Sequence, residues 1–186
     1  MTRVSGIVAP GSAPAAGFEA PFEMLHACHE RVERMMNLLA KLREHVRTHS
    51  ADVQARQAAA DVMRYFEVAA PEHHRDEERH VFPALLALND PNVTRLVARL
   101  QREHVLMDAR WAASRALLSG VADGTRTAFD ADDERTLDTF AALYAGHVEA
   151  EESVAYPRAR STMGETALQA MSRDMMARRG VRGPKA

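Results

Sequence analysis

Four histidines and two glutamates carry the first chemical signal in this chain. His73 and Glu77 stand four residues apart, and so do His147 and Glu151. On an α-helix that spacing places both side chains on one face, one turn apart, so an imidazole nitrogen and a carboxylate oxygen can aim at a common point. The surrounding text repeats. His73-His74-Arg75-Asp76-Glu77-Glu78-Arg79-His80-Val81-Phe82-Pro83 and His147-Val148-Glu149-Ala150-Glu151-Glu152-Ser153-Val154-Ala155-Tyr156-Pro157 both read H-x-x-x-E-E-x-x-x-aromatic-Pro. His29 lies 44 residues before His73, and His104 lies 43 before His147. The chain therefore reads as two helical hairpins, each supplying one lone histidine and one His-x-x-x-Glu pair.

Energetics decide what the pattern is for. Phe22, Leu25, His29, Val32, Met36 and Leu39 follow one another at spacings of three and four, one seam of an amphipathic helix. His73 and Glu77 share a seam with Val62, Phe66, Ala69 and Val81. His104 shares one with Val97, Leu100, Met107, Trp111, Ser114 and Leu118, and His147 and Glu151 share one with Leu137, Phe140, Tyr144 and Val154. All six polar residues thus point into an apolar interior, where each uncompensated charge costs several kcal/mol. Cations among them remove that cost. Carboxylates can bridge two ions about 3.5–4 Å apart, so two ions sharing Glu77 and Glu151, each with two histidines, satisfy the donors. Nitrogen and oxygen ligation without thiolate fits iron or manganese, and affinity order also permits zinc or copper.

Neighbouring residues have alternative readings. Glu33 and Asp108 are the fourth residues after His29 and His104; they serve as further ligands, as partners that orient the imidazoles, or as solvated charges. His74 competes with His73 for the ligand position, and the proline offset shared with His147 selects His73. His26 flanks His29. Glu78 and Glu152, rotated about 100° from the ligand direction, read as salt-bridge or helix-face charges, with coordination as the lesser alternative. His45, His49 and His80 read as solvated, Cys28 points away from the seam, and Tyr144 either packs or donates a hydrogen bond to the site.

The elements that position these residues are all helical. Residues 1–20 read as a flexible leader. Residues 21–160 form an all-α, up-down four-helix bundle, and residues 161–186 add a short extra helix, carrying Leu168, Met171 and Met175, and a basic, solvated tail. The second helix is expected to start near Ala51, with a kink or break at Pro71 and Pro83. Asn89-Asp90-Pro91 signals a turn and helix start. Gly120 to Thr127 reads as a loop, and the fourth helix is expected to run from about Asp130 to Pro157.

Bulk properties exclude several classes. The 186 residues suit one domain; they contain ten Met, 5% aromatics and a single cysteine, which rules out an internal disulfide or a thiolate-rich metal site. A net charge of −2 gives no electrostatic case for nucleic acid or an anionic membrane. No apolar run is long enough to span a bilayer, and residues 1–20 do not read as a signal peptide; the expectation is cytoplasmic. No Gly-rich phosphate loop or serine-elbow motif occurs, and no protein partner is indicated.

The order lone His, H-x-x-x-E, lone His, H-x-x-x-E over four helices resembles the hemerythrin-like HHE cation-binding family. LHACHERVERMM, HHRDEERHVFPAL and HVEAEESVAYP are similar to that family's segments, and the likeness spans about residues 22–160. The resemblance implies a hemerythrin-like bundle around two iron ions, a non-haem, oxo- or hydroxo-bridged pair, with manganese or zinc as substitutes. It also implies an encounter with dioxygen or another small diatomic or peroxide ligand at an open coordination position. The oxygen-carrying members have five histidines, with H-x-x-x-H on the third helix and H-x-x-x-x-D on the fourth. Here His104 is followed by Asp108, and His147 by Glu151. A four-histidine, carboxylate-rich site shifts the expectation from reversible oxygen carriage to oxygen, redox or nitric oxide sensing, or iron handling. A di-iron oxidoreductase with peroxidase-like or nitric-oxide-consuming activity is the alternative, and a binding module is favoured over an enzyme.

Overall fold

Polar punctuation sets where the helices of this computed structural model begin. Helix α1 covers Pro21–His49. Asp52 then caps α2 (Val53–Arg64), its side chain accepting from the backbone N–H of Ala55, so the helix starts two residues later than Ala51. A left-handed Asn89 (φ 53°) closes the next turn. Asp90 accepts from the Asn92 N–H at 2.8 Å, and Pro91 opens α5 (Pro91–Asp123), whose first N–H would go unused in any residue. Asp130 and Asp133 cap α6 (Ala131–Ala150) reciprocally: the Asp130 carboxylate accepts from the Asp132 and Asp133 N–H groups, and the Asp133 carboxylate accepts from the Asp130 N–H. Residues 17–181 are described; most of the leader and the end of the basic tail lie outside them.

Proline does not break these helices. Between α2 and α3 (Ala70–Asp76) runs a π-helical turn, Tyr65–Ala69. A second, Glu77–Val81, leads into α4 (Phe82–Leu86), and a third, Glu151–Ala155, joins α6 to α7 (Tyr156–Thr162). Pro71, Pro83 and Pro157 each follow one of these turns by two residues. Each proline lacks the N–H that the carbonyl four residues earlier needs, and its ring crowds that carbonyl. The wider turn relieves the crowding by pairing residues five apart, as Phe82 N–H does with Glu77 O and Tyr156 N–H with Glu151 O. The chain therefore runs as one helix from 53 to 86 and another from 131 to 162, past the expected stop at Pro157. The third π turn also shifts the inward position, burying Ala155 where a plain seam would place Val154, which is exposed. The expected loop at Gly120 is likewise helical as far as Asp123.

The fold is all-α, with no strand among the described residues, and ends in the extra helix α8 (Glu165–Arg178). Its residues fall into two compact units, one comprising 31–71 and 105–145, the other the described residues up to 30, 72–104 and 146–181. The first is apolar throughout its centre. Leu39, Leu42, Ala59, Val62, Leu118 and Leu137 are sealed from solvent, and Phe66 meets Trp111, Phe140 and Tyr144 with ring centroids 5.1, 5.2 and 5.6 Å away. Tyr144 thus packs in a core. The second unit buries Leu25, Val81, Phe82, Leu100, Met171 and Met175. It also buries Asp76, which Arg178 and Arg179 of the C-terminal segment clasp. Those two arginines are only 15% and 17% exposed in their side chains and are not solvated.

Candidate metal centre

All the histidines and glutamates of the two repeats' metal-like pattern lie in the second unit. Nε2 of His29, from α1, is 3.0 Å from Nε2 of His73, from α3. Nε2 of His104, from α5, is 3.1 Å from Nε2 of His147, from α6. Two nitrogens each about 2.1 Å from one ion, at right angles, would be separated by about this much.

Two carboxylates join the pairs. Glu77 turns Oε1 toward His73 and Oε2 toward His104, each at 3.4 Å. Glu151 turns Oε2 toward His29 at 3.1 Å and Oε1 toward His147 at 3.0 Å. Both side chains are fully buried. Each carboxylate presents one oxygen to each histidine pair, the arrangement a bridging ligand requires.

His74 joins the cluster beside His73. Its buried ring stacks on His104 with centroids 3.9 Å apart and planes 11° apart. His74, His104 and His147 can each offer a nitrogen within 4.8 Å of the others, as His29, His73, Glu77 and Glu151 offer their donor atoms. Successive helix residues differ by about 100° in direction, so α3 serves both groups at once. The structure gathers five histidines where the sequence reading counted four. Glu33 and Asp108 are exposed and are not among the gathered residues.

Around the cluster, carboxylates hold the outer imidazole nitrogens. Nδ1 of His29 bonds Glu152 at 2.6 Å, Nδ1 of His104 bonds Glu78 at 3.0 Å, and Nδ1 of His147 bonds Glu103 at 2.8 Å. Such bonds fix which nitrogen faces inward and raise its basicity. Glu78 and Glu152 are therefore positioning residues, and the Glu-Glu doublet at the same place in both repeats was the signal for them. Glu103, outside the repeat, left no such trace. His26 also reaches Glu152, at 2.9 Å. His45 and His80 pair with Asp52 and Asp174 and are only partly exposed.

Tyr156 completes the inner wall. Its ring lies flat against His29, centroids 5.3 Å apart and planes within 3°. Its hydroxyl donates to Oε1 of Glu77 and sits 3.2 Å from Nε2 of His29. Burial, reinforced by Glu77 and Glu151, keeps the phenol proton on in the ion-free cage.

The donor set fits cations. Oε2 of Glu77, both oxygens of Glu151 and Nδ1 of His73 are buried without a hydrogen-bond partner, a costly state for carboxylates unless positive charge stands beside them. Protons supply part of that charge in the ion-free protein. Burial pulls His29 down, but Glu151 and Glu152 outweigh it and leave its pKa at about 9. His104 is likewise lowered by burial and raised more by Glu151, Glu77 and Glu78, to about 10. Against burial, His104, His147 and His29 hold the Glu151 carboxyl well below the usual range. Burial keeps His73 and His74 low, hence neutral, with lone pairs available.

Fold and site together define an all-α protein with a buried nitrogen- and oxygen-donor centre for cations. The sequence profile of the hemerythrin HHE cation binding domain matches residues 20–159, and the chain belongs to that family. A Haemophilus influenzae protein described only as uncharacterized is 28% identical over 167 residues, covering 90% of this chain and 94% of its own length. No helix among the described residues is long and apolar enough to cross a membrane.

Proposed function

We propose that this HHE-domain protein holds two iron ions and binds or responds to dioxygen or a related small ligand, as an oxygen, redox or nitric oxide sensor or in iron handling. One observation supports it above the rest: Glu77 and Glu151 each turn one oxygen to either histidine pair. A single ion would leave half of those oxygens idle.

In this reading His29 and His73 would hold one ion, His74, His104 and His147 would hold the other, and Glu77 and Glu151 would serve both. Iron held there would supply one-electron redox chemistry toward a small ligand. The chain's own residues do the remaining work. Glu152, Glu78 and Glu103 aim the imidazoles. Phe82, stacked on His104 with centroids 5.6 Å apart, gives the cage an apolar flank. A cleft of about 390 Å³, lined by residues including His26, Glu152 and Tyr156, gives a small molecule an approach.

The test is anaerobic loading with ferrous iron, elemental analysis, and then exposure to air. Two irons per chain and growth of the near-ultraviolet charge-transfer absorption of an oxidised iron pair are expected. Protein that stays empty refutes the reading; two irons with a silent spectrum refute its oxygen chemistry. Sustained turnover of peroxide or nitric oxide would make the protein an oxidoreductase rather than a sensor.

A further inference from the structure

Among the positions at which the two repeats differ, two compensate one another. Where the first repeat has His74 the second has Val148, and where the second has Tyr156 the first has Phe82. Phe82 and Tyr156 hold equivalent places, each stacked on the lone histidine of the opposite hairpin, His104 and His29 respectively. His74 adds a third nitrogen to the His104/His147 group. The His29/His73 group has no third nitrogen, but it has the Tyr156 oxygen, 3.2 Å from Nε2 of His29 and bonded to Oε1 of Glu77. That spacing matches the 3.0 Å between the two nitrogens of the group and the 3.1 Å from His29 to Glu151, the edges of one donor polyhedron.

We infer that Tyr156 is a metal ligand, giving the His29/His73 ion a phenolate oxygen where its partner ion has the His74 nitrogen. The inference rests on the di-iron reading above. When the phenol oxygen binds an oxidised ion, its O–H bond breaks, the electron pair goes to the metal and the proton leaves to solvent; no electron is transferred. The two ion positions become inequivalent. An anionic hard oxygen stabilises the ferric state on one side, while the side with three histidine nitrogens keeps the softer set.

The experiment uses the full chain loaded with ferrous iron without air and then oxidised with ferricyanide. Iron per chain is measured alongside visible absorption and resonance Raman. The expected result is two irons per chain with phenolate-to-iron charge transfer and enhanced tyrosinate vibrations. Both should be lost in Tyr156→Phe with helicity unchanged and kept in Tyr144→Phe. Wild-type protein with two irons and no phenolate signature overturns the assignment and reduces Tyr156 to a hydrogen-bond donor for Glu77. A signature lost in Tyr144→Phe but kept in Tyr156→Phe overturns it too. Protein that takes up no iron overturns the di-iron reading and this inference together, so the two failures are told apart by elemental analysis.

Discussion

Nδ1 of His29 lies 2.6 Å from a carboxylate oxygen of Glu152, a residue 123 positions away in the chain. The same relation recurs with the hairpins exchanged, Glu78 of the first repeat holding His104 of the second half. Each Glu-Glu doublet therefore does two jobs. Its first member faces into the cage, and its second, a helix step of about 100° away, steers the lone histidine of the other hairpin. Losing such a support costs metal sites about 10–100-fold in affinity. Glu152→Ala is accordingly expected to weaken iron binding by that factor in a competition titration against a chelator. The exposed Glu149, changed to Ala, should leave affinity unmoved. Equal affinities in the two variants would show that the bond from His29 has no hold on the centre.

His74 gives a second test. It sits in the His104/His147 group, and His73 in the other. His74→Ala should lower iron from two per chain toward one and leave the His29/His73 half occupied. His147→Ala should remove iron from the same half, while His45→Ala, whose ring pairs with Asp52, should bind normally. Full occupancy in His74→Ala would return it to the role of a bystander beside His73.

Most of the fold and much of the site can be read from the sequence, for a physical reason. Heptad-like spacing records which residues a helix buries, and the repeat doubles that record; His29, His73, Glu77, His104, His147 and Glu151 all sit on such seams and all converge. His74 was weighed only as a rival to His73, because a single-seam argument treats neighbours as alternatives, whereas its buried ring lies in the cluster beside His104 and His147. Glu33 and Asp108 were raised by an i, i+4 rule that holds only if the helix face stays inward, and both are exposed. The π turns were illegible as well. Proline announces a disturbance, but whether the chain kinks or widens depends on packing around the carbonyl it displaces. The widened turns at Glu77–Val81 and Glu151–Ala155 begin at the two buried glutamates themselves.

Protons and metal compete for the same cage, and the sign of the effect follows from the shifts. His29 and His104 have pKa values raised to about 9 and about 10 against an ordinary 6.5. A raised value means the folded state holds its proton more tightly than the unfolded chain. That stabilisation is complete below pH 6.5 and is lost as pH climbs through 9 and 10. Ion-free protein should therefore melt at lower temperature at pH 10 than at pH 6.5. Metal binding runs the opposite way: ions must displace those protons, so affinity should rise with pH across the same window, and loading at pH 7 should release protons. Melting curves with and without metal, and proton release in weakly buffered solution, check both signs. An ion-free melting temperature flat from pH 6.5 to 10 would contradict the assigned protonation.

The C-terminal helix offers a stability test that leaves the donors untouched. Asp76 is completely buried one residue before Glu77 and is clasped by both Arg178 and Arg179. Arg178 also reaches Glu72 and Asp174, so α8 is tied to α3 by charge as well as by Met171 and Met175. Removing one partner of a buried ion pair strands the other charge, at about 3–5 kcal/mol. Because two arginines share Asp76, either alone keeps it compensated, so Arg179→Ala should cost far less than the Arg178→Ala, Arg179→Ala double variant. Adding Asp76→Asn to the double variant should recover much of the loss by removing the stranded charge. Urea unfolding of the ion-free protein measures all three. A double variant as stable as its parent would mean that Asp76 finds its countercharge elsewhere, and the clasp would then have no part in holding α3 where His73 and His74 need it.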